Sequence, residues 1–354
     1  MITVAVLAGG CSPEHDVSLR SAMQVLKHLD RTRFVPWPVH LDQQGLWWVA
    51  RQPLAPGQLP DAACRSEGMR ALRPGAAVEF LLEHAAAQIV FPVLHGESGE
   101  DGTVQGMLEL HGVPFVGSGC AASAVAMDKI RTRECFAFRG IPMARCHLPE
   151  RPLATADARA EAIAIGRTLG YPCFLKVALS GSSIGVMRCT TQADVVAFVE
   201  QQRHRRGRFI AEAQAVGEEI TVPILGNSGG ELEALPPVGI YPRRGDFFTH
   251  EAKYADGGSD EIVPPRGLTP AQILEVQQLG RRCHEALDCD GLSRTDMIMT
   301  AQGPIVLETN TIPGLTEASL LPKAARAHGL TFPALLTRLL EYGLQRWQGR
   351  REAS

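Results

Sequence analysis

The sequence predicts a mixed α/β and α+β protein whose first part is a doubly wound parallel sheet. Three observations carry that expectation. Ile2–Leu7 is a continuous apolar run closed by Gly9-Gly10, the pattern of a parallel strand buried on both faces. Short strands and helical segments alternate again from Ser123 to about Glu212, in a compact α+β arrangement. Near the C-terminus, Leu292–Thr300 and Pro304–Asn310 read as strands joined by Ala301-Gln302-Gly303, short enough for an antiparallel hairpin. With 354 residues the chain has room for two or three domains around separate cores.

Ser12-Pro13-Glu14 opens the first helix, with Ser12 at the cap, Pro13 at the first helical position and an acid in the first turn. Leu19, Met23 or Ala22, Leu26 and Leu29 give that helix its apolar stripe. Strands follow at Phe34–Leu41 and Gln88–Leu94, so β-α-β alternation builds the first sheet. The Asp42–Ala87 segment, rich in Pro, Gly and Ala, reads as an elaboration with no function to draw from it. Val113–Ser118 is a further strand, and Ala121–Arg139 reads as one helix. Strands at Tyr171–Val177, Arg208–Ala213 and Glu219–Leu225 are linked by helices around Ala154–Gly170 and Gln192–Arg203. Pro236–Glu261, rich in Gly, Arg and aromatic residues with weak periodicity, is a candidate lid. Helices at Pro270–Leu287 and Phe332–Trp347 flank the hairpin.

The hairpin carries the chemistry. Arg294 with Asp296, and Glu308 with Asn310, sit two apart on their strands and so share a face. A turn centred on Gln302 sets Asp296 opposite Glu308 and Arg294 opposite Asn310. Cross-strand partners lie roughly 4.5–5.5 Å apart at Cβ, and like charges there are destabilising. A divalent cation resolves that conflict.

Composition excludes several classes. Apolar residues make up 45% and charged residues 21%, with net charge −3 and pI near 6.4, so no nucleic acid or anionic membrane surface is implied. The Arg203–Arg208 cluster lacks interleaved aromatics and reads as a solvated loop. Nine scattered cysteines, never spaced C-x-x-C, argue against a disulfide framework or zinc site and fit a reducing cytosol. The N-terminus lacks a basic signal region, and no apolar run is long enough to span a membrane. A soluble cytoplasmic protein is expected.

Other motifs gain weight from company. The loop Val177–Gly185 follows a strand ending in Lys176; its glycines and hydroxyls suit phosphate oxygens, although a simple turn reads equally well. His95 to Gly102 is a Gly-rich polar turn at the C-terminal end of a parallel strand, where ligands bind. Its acids also serve as caps for a helix at Val104–His111. Lys129, Lys176 and Lys253 read singly as solvated cations. Beside a two-carboxylate metal patch they match what ATP phosphates require. Glu212 and Glu219, at strand ends, suit an adenine amino group or ribose hydroxyls, yet read alone as surface carboxylates.

Seven segments, in order and spacing, then carry a resemblance. They are LAGGCSPEHDVSLRSA from Leu7, HGESGEDGTVQGMLE from His95, VGSGCAASAVAMDK from Val116, GSSIGV from Gly181, EAKY from Glu251, SRTD from Ser293 and ETNTIPGLTEASLLPK from Glu308. Together they resemble the D-alanine–D-alanine ligase family of the ATP-grasp superfamily, over nearly the whole chain. The resemblance implies an ATP-grasp fold divided at 1–120, 121–212 and 213–354. It implies two Mg²⁺ (or Mn²⁺) ions on Asp296, Glu308 and Asn310, with Glu308 shared. Lys129, Lys176, Lys253, Ser182 and Ser183 would meet the ATP phosphates, and Glu212, Gln214, Ala215, Glu219 and Leu307 the adenosine. Glu14 would bind the ammonium of the first D-alanine, with His95 near its carboxylate. Ser182 and Tyr254 would join Glu14 in a hydrogen-bonded group. Arg294 and the N–H of Gly314 would form the oxyanion hole, and Ser319 and Leu320 would hold the second D-alanine.

The implied reaction is ATP-dependent formation of D-alanyl-D-alanine through a D-alanyl phosphate, for peptidoglycan precursors, by a cytoplasmic homodimer. The nearest alternative is a ligase of the same fold making D-alanyl-D-lactate or another D-alanyl product, which Tyr254 disfavours. A catalytically dead nucleotide-binding protein would show eroded metal residues, and Gly9-Gly10-Cys11 is no dinucleotide fingerprint. The chain departs from the family at Val177 and Ser180, where Pro and an acid or Gln are usual. It departs again at Gln214, where Trp is common, and at His250, where an aromatic is common. These changes are expected to alter nucleotide affinity and lid kinetics, not the reaction.

Overall fold

The computed structural model describes residues 1–66, 68–179, 181, 185–205, 207–243 and 258–353. Three sheets organise them. The first runs β4-β3-β2-β1-β5, from β1 (Ile2–Gly9), β2 (Phe34–Leu41), β3 (Trp47–Val49), β4 (Arg70–Leu72) and β5 (Ile89–Pro92). β1 pairs parallel with β2 and β5, and its residues alternate between two cores: Val4, Val6 and Ala8 on one side, Ala5 and Leu7 on the other. β3 and β4 are antiparallel, so the 42–87 segment widens this sheet instead of merely decorating it. At the C-terminal end of β1, Gly9 has φ +95°, and a Cβ there would sit 2.2 Å from the Leu41 carbonyl oxygen. Only glycine lets the chain turn that closely past β2.

Three local expectations need correction. The first helix runs His15–His28, starting later than Pro13, because Ser12 has other work. Its hydroxyl donates to the His95 carbonyl at 2.6 Å and accepts from the Glu14 N–H at 3.2 Å. Val113–Ser118 meets the sheet only through a parallel bridge between Val90 and Phe115, since Pro114 has no N–H to extend a ladder. The helix expected over 121–139 is two, Cys120–Met127 and Lys129–Phe138. Asp128 breaks it with ψ 104° and caps the second helix by accepting from Ile130 and Arg131 N–H. Asp favours such caps over helix interiors, so Lys129 opens a helix.

The second sheet, order β6-β9-β7-β8, is antiparallel: β6 (Cys146–His147), β7 (Cys173–Val177), β8 (Val186–Cys189) and β9 (Phe209–Ala213). Helices Ala158–Thr168 and Gln192–Gln202 bury one of its faces through Ile165, Leu175, Val195, Phe198 and Phe209. The third sheet runs β13-β12-β10-β14-β15, with β11 beside β10. Its strands are β10 (Glu218–Leu225), β11 (Glu233–Ala234), β12 (Val238–Pro242), β13 (Ser259–Ile262), β14 (Leu292–Thr300) and β15 (Gly303–Asn310). β12 and β13 take up the two ends of the expected lid, and its middle, 244–257, lies outside the described residues. Helix Pro270–Ala286 backs this sheet, opened by a Thr269–Gln272 capping box.

The C-terminal helix, Phe332–Ala353, outruns its expected end and returns to the first sheet, burying Leu335, Leu336, Leu339 and Leu340 against β1 and β5. Arg346 fastens it. Its guanidinium donates to the Gly117 carbonyl at 2.5 Å, pairs with Glu109 at 3.0 Å and Asp290 at 3.4 Å, and lies over the Phe115 ring. Among the described residues no helix is long and apolar enough to cross a membrane.

His284 lies buried under the hairpin with Nδ1 2.7 Å from Ser293 Oγ. Burial pushes its pKa down from 6.5 to about 4. The unfolded chain takes up this proton near pH 6.5 and the fold only near 4, so stability is full above 6.5 and falls toward 4. The expected slope in that window is about 1.4 kcal/mol per pH unit. Urea titrations of wild type and His284→Gln across it should give a shallower slope for the variant; identical slopes would assign the pH dependence elsewhere.

Candidate active site

The hairpin register places the central patch. Arg294 pairs with Asn310 and Asp296 with Glu308, as the sequence predicts, but by another route. The turn is Ala301-Gln302, with Thr300 opposite Gly303, one residue tighter than a turn centred on Gln302. A bulge between Asp296 and Met297 leaves Leu307 as an extra residue and restores the expected pairing beyond it. It also lets consecutive residues Leu307 and Glu308 both face the cleft, which a regular strand forbids.

Asp296 is buried and fully engaged. Arg294 holds it bidentately at 2.9 and 2.8 Å, Thr221 donates at 2.5 Å, and Asn310 Nδ2 lies 3.2 Å away. Lys129 Nζ lies 3.9 Å from Glu308. On the opposite wall β7 alternates: Cys173, Leu175 and Val177 enter the core while Phe174 and Lys176 face the cleft. Lys176 pairs with Glu212 at 2.6 Å. Glu212 lies within β9 and is buried, so the surface-carboxylate reading fails. Burial alone would raise its pKa; Lys176 and Arg133 more than reverse this and hold it below the ordinary value.

The resulting cleft, about 710 Å³, lies between the second and third sheets. Lys129, Lys176, Glu212, Gln214, Ala215, Glu219, Leu307, Asp296 and Glu308 all line it, so most of the residues expected at nucleotide and metal share one space. Gln214 is held by Arg188 Nε at 3.2 Å. Sequence reading overlooked Phe174, Thr221 and Arg133. Their signals were positional: Phe174 precedes Lys176 by two on a strand, Thr221 faces Asp296 across β10 and β14, and Arg133 follows Lys129 by one helical turn.

A second group gathers at the end of β5. Glu14 and His95 are both buried. His95 Nδ1 donates to the Ile312 carbonyl at 3.1 Å, and its pKa is lowered, chiefly by burial, with Arg294 adding to the effect against the pull of Glu14. Glu100 accepts from Gly96 N–H at 2.8 Å and Ile312 N–H at 3.4 Å, tying this loop to the end of the hairpin. Burial, with Glu14 nearby, raises its pKa to about 8. A Cβ on Gly181 would lie 3.7 Å from Glu14 Oε2, so Gly181 lies beside that carboxylate. Ser182, Ser183, Lys253 and Tyr254 themselves lie outside the described residues, as do Ser180 and His250.

Beyond the hairpin, Ser319 precedes helix Leu320–Ala327 without capping it. Its hydroxyl turns back to Thr316, 2.8 Å from Oγ1 and 3.2 Å from the N–H that donates to it. Gly314 is close by: a Cβ there would sit 2.8 Å from Ser319 Oγ. The N–H of Leu320 belongs to that helix's first turn, whose N–H groups have no acceptor within the helix and suit a carboxylate.

Two antiparallel-strand sheets enclosing lysines and opposed carboxylates, beside a doubly wound sheet, define an ATP-grasp ligase. Residues 3–118 match the family described as D-ala D-ala ligase N-terminus, and residues 136–341 that described as D-ala D-ala ligase C-terminus. The D-alanine--D-alanine ligase of Nocardia farcinica is 38% identical over 367 residues, covering 99% of each chain. That of Geobacillus kaustophilus is 35% identical over 356 residues, covering 98% of this chain and 95% of the relative. Among solved structures, the D-alanine-D-alanine ligase from Coxiella burnetii superposes with a TM-score of 0.79 at 26% identity, covering 99% and 96%. A D-Ala:D-Ser ligase from Enterococcus faecalis gives 0.78 at 28%, covering 97% and 99%. The chain belongs to the D-alanine–D-alanine ligase family.

The bulge generates a test. Deleting Leu307 should regularise β15 while leaving Glu308 opposite Asp296 on the cleft face, so only the Leu307 side chain is lost from the cleft wall. The expected protein is folded by circular dichroism, still releases phosphate from ATP in the presence of D-alanine, and has a raised KM for ATP. Loss of all phosphate release in the folded variant would show that the bulge itself sets the patch.

Proposed function

We propose that the protein joins two D-alanines with ATP to give D-alanyl-D-alanine for peptidoglycan precursors. The observation that carries this reading is one continuous cleft with Lys129 and Lys176 facing Asp296 and Glu308. Arg294, paired with Asp296, acts electrostatically on both His95 and Glu100 at the Glu14 end. Asp296, Glu308 and Asn310 offer only hard donors, which suits Mg²⁺ or Mn²⁺. Bound there, two such ions would neutralise charge on the β- and γ-phosphates.

The chain's own groups account for the rest. Glu14 holds the ammonium of the first D-alanine, and neutral His95 lies near its carboxylate without adding charge. Lys129 and Lys176, with Lys253, draw the phosphates into line. A carboxylate oxygen of D-alanine then attacks the γ-phosphorus as the bond to ADP breaks, giving an acyl phosphate. The amine of a second D-alanine, held by Ser319 and the Leu320 N–H, attacks that carbonyl. The oxyanion faces Arg294 and the Gly314 N–H, the C–O bond to phosphate breaks, and the attacking nitrogen passes its proton to the departing phosphate. Ser182 and Tyr254 complete the group around Glu14, and Ser183 and the Gln214–Ala215 hinge complete the nucleotide site. This reading assigns 1–120 to substrate contacts, 121–212 and 213–354 to the two halves of the nucleotide grip, and the protein to the cytoplasm as a homodimer.

The similarity to a D-Ala:D-Ser ligase supports a second reading, in which the incoming nucleophile is another D-amino or D-hydroxy acid. The test is incubation with ATP, Mg²⁺ and D-alanine, alone and with D-serine or D-lactate, followed by phosphate assay and product mass. Phosphate and dialanine from D-alanine alone are expected. Product only with the added acid would select the second reading, and no phosphate under any condition would overturn both. Glu308→Gln should reduce turnover at least 100-fold, the scale of losing one transition-state electrostatic contact, with the fold retained by circular dichroism.

A further inference from the structure

Glu212 has more positive charge around it than a single carboxylate needs. Its Oε2 meets Lys176 Nζ at 2.6 Å, and its Oε1 meets Arg133 Nη1 at 2.7 Å. Glu212 is buried at 8% exposure, and Lys176 and Arg133 are partly buried at 13% and 15%. The two cations differ in freedom. Arg133 is anchored from behind, its Nη2 donating to the Ala144 carbonyl at 2.5 Å, and its planar fork spans both acceptors at once. Lys176 sits on the cleft face of β7 at the end of a flexible stem, on the same wall as the space a phosphate chain would fill.

We propose that Arg133 is a positioning residue for the nucleotide: it is the permanent counter-ion of Glu212, which frees Lys176 to turn to phosphate. The inference rests on the nucleotide reading of the cleft. A buried carboxylate stripped of its only cation would be strongly penalised, so without Arg133 the lysine is bound to stay with Glu212. With Arg133 in place the trio carries a surplus positive charge, and the surplus is the mobile one. Arg133 acts through Glu212 and Lys176; no nucleotide contact of its own is required. The spacing supports the assignment. Arg133 lies one turn beyond Lys129 on the same helix, so a single helix face supplies one cation near Glu308 and another behind Glu212.

Titration calorimetry of the full-length protein with ADP and with adenosine, each with Mg²⁺, tests this. Adenosine has no phosphates and does not ask Lys176 to move, so it serves as the internal reference. In Arg133→Met the affinity for ADP should fall about tenfold or more, a 1.4 kcal/mol change, while adenosine affinity changes much less. Adding Glu212→Gln to that variant removes the charge that traps Lys176 and should return the ADP-to-adenosine ratio toward wild type. Arg133→Lys, which keeps the charge, should bind ADP close to wild type and gives a reading even where the Met variant fails to fold. Equal loss of ADP and adenosine, undiminished ADP binding in Arg133→Met, or an Arg133→Lys defect as large as that of Met would each overturn the proposal. Wild-type protein that binds neither ligand would instead overturn the nucleotide reading itself.

Discussion

Asp296 and Glu308 face each other across two adjacent strands, and the repulsion between them governs what surrounds them. The register that opposes them places Arg294, Thr221 and Asn310 within reach of Asp296, while Lys129 approaches Glu308 from a different helix. Each neighbour reaches the pair through its own local cause. Thr221 faces Asp296 from β10, Lys129 is where it is because Asp128 ends one helix and caps the next, and Leu307 turns inward because a bulge absorbs one residue. The hairpin is thus a charge problem whose solution reaches two elements distant in sequence, β10 and helix Lys129–Phe138.

The hairpin was the most legible part of the chain, because two-residue alternation and a short connector nearly determine pairing on their own. Even so, the expected turn was one residue too wide, and the pairing at Asp296 came right through a bulge that no pattern announced. Long periodic segments such as Phe34–Leu41 and Gln192–Gln202 read well for the same reason. Short strands such as β3, β8 and β12 were missed, since three to five residues carry too little pattern to outweigh their Gly and Pro neighbours. Ser12 misled as a helix cap because its true partner, the His95 carbonyl, belongs to another loop.

Glu212 shows where single-sequence reading stops. Its position near a strand end suggests a solvated acid, and nothing local contradicts that. Its burial depends on Lys176 from β7 and Arg133 from a helix, which meet only once both have packed. Buried ionised groups are legible as a set or not at all, because each is tolerable only in company.

The packing of the last helix has a consequence for how the chain is made. Leu335, Leu336, Leu339 and Leu340 complete the same core as Val4, Val6, Phe34 and Phe91, so the earliest strands and the latest helix finish one hydrophobic layer together. On a ribosome, strands β1, β2 and β5 emerge first, and chains fold in the order they appear. Helix His15–His28 covers part of that face early, through Ala22, Val25 and Leu26, and the remainder stays open to water until helix Phe332–Ala353 has been synthesised.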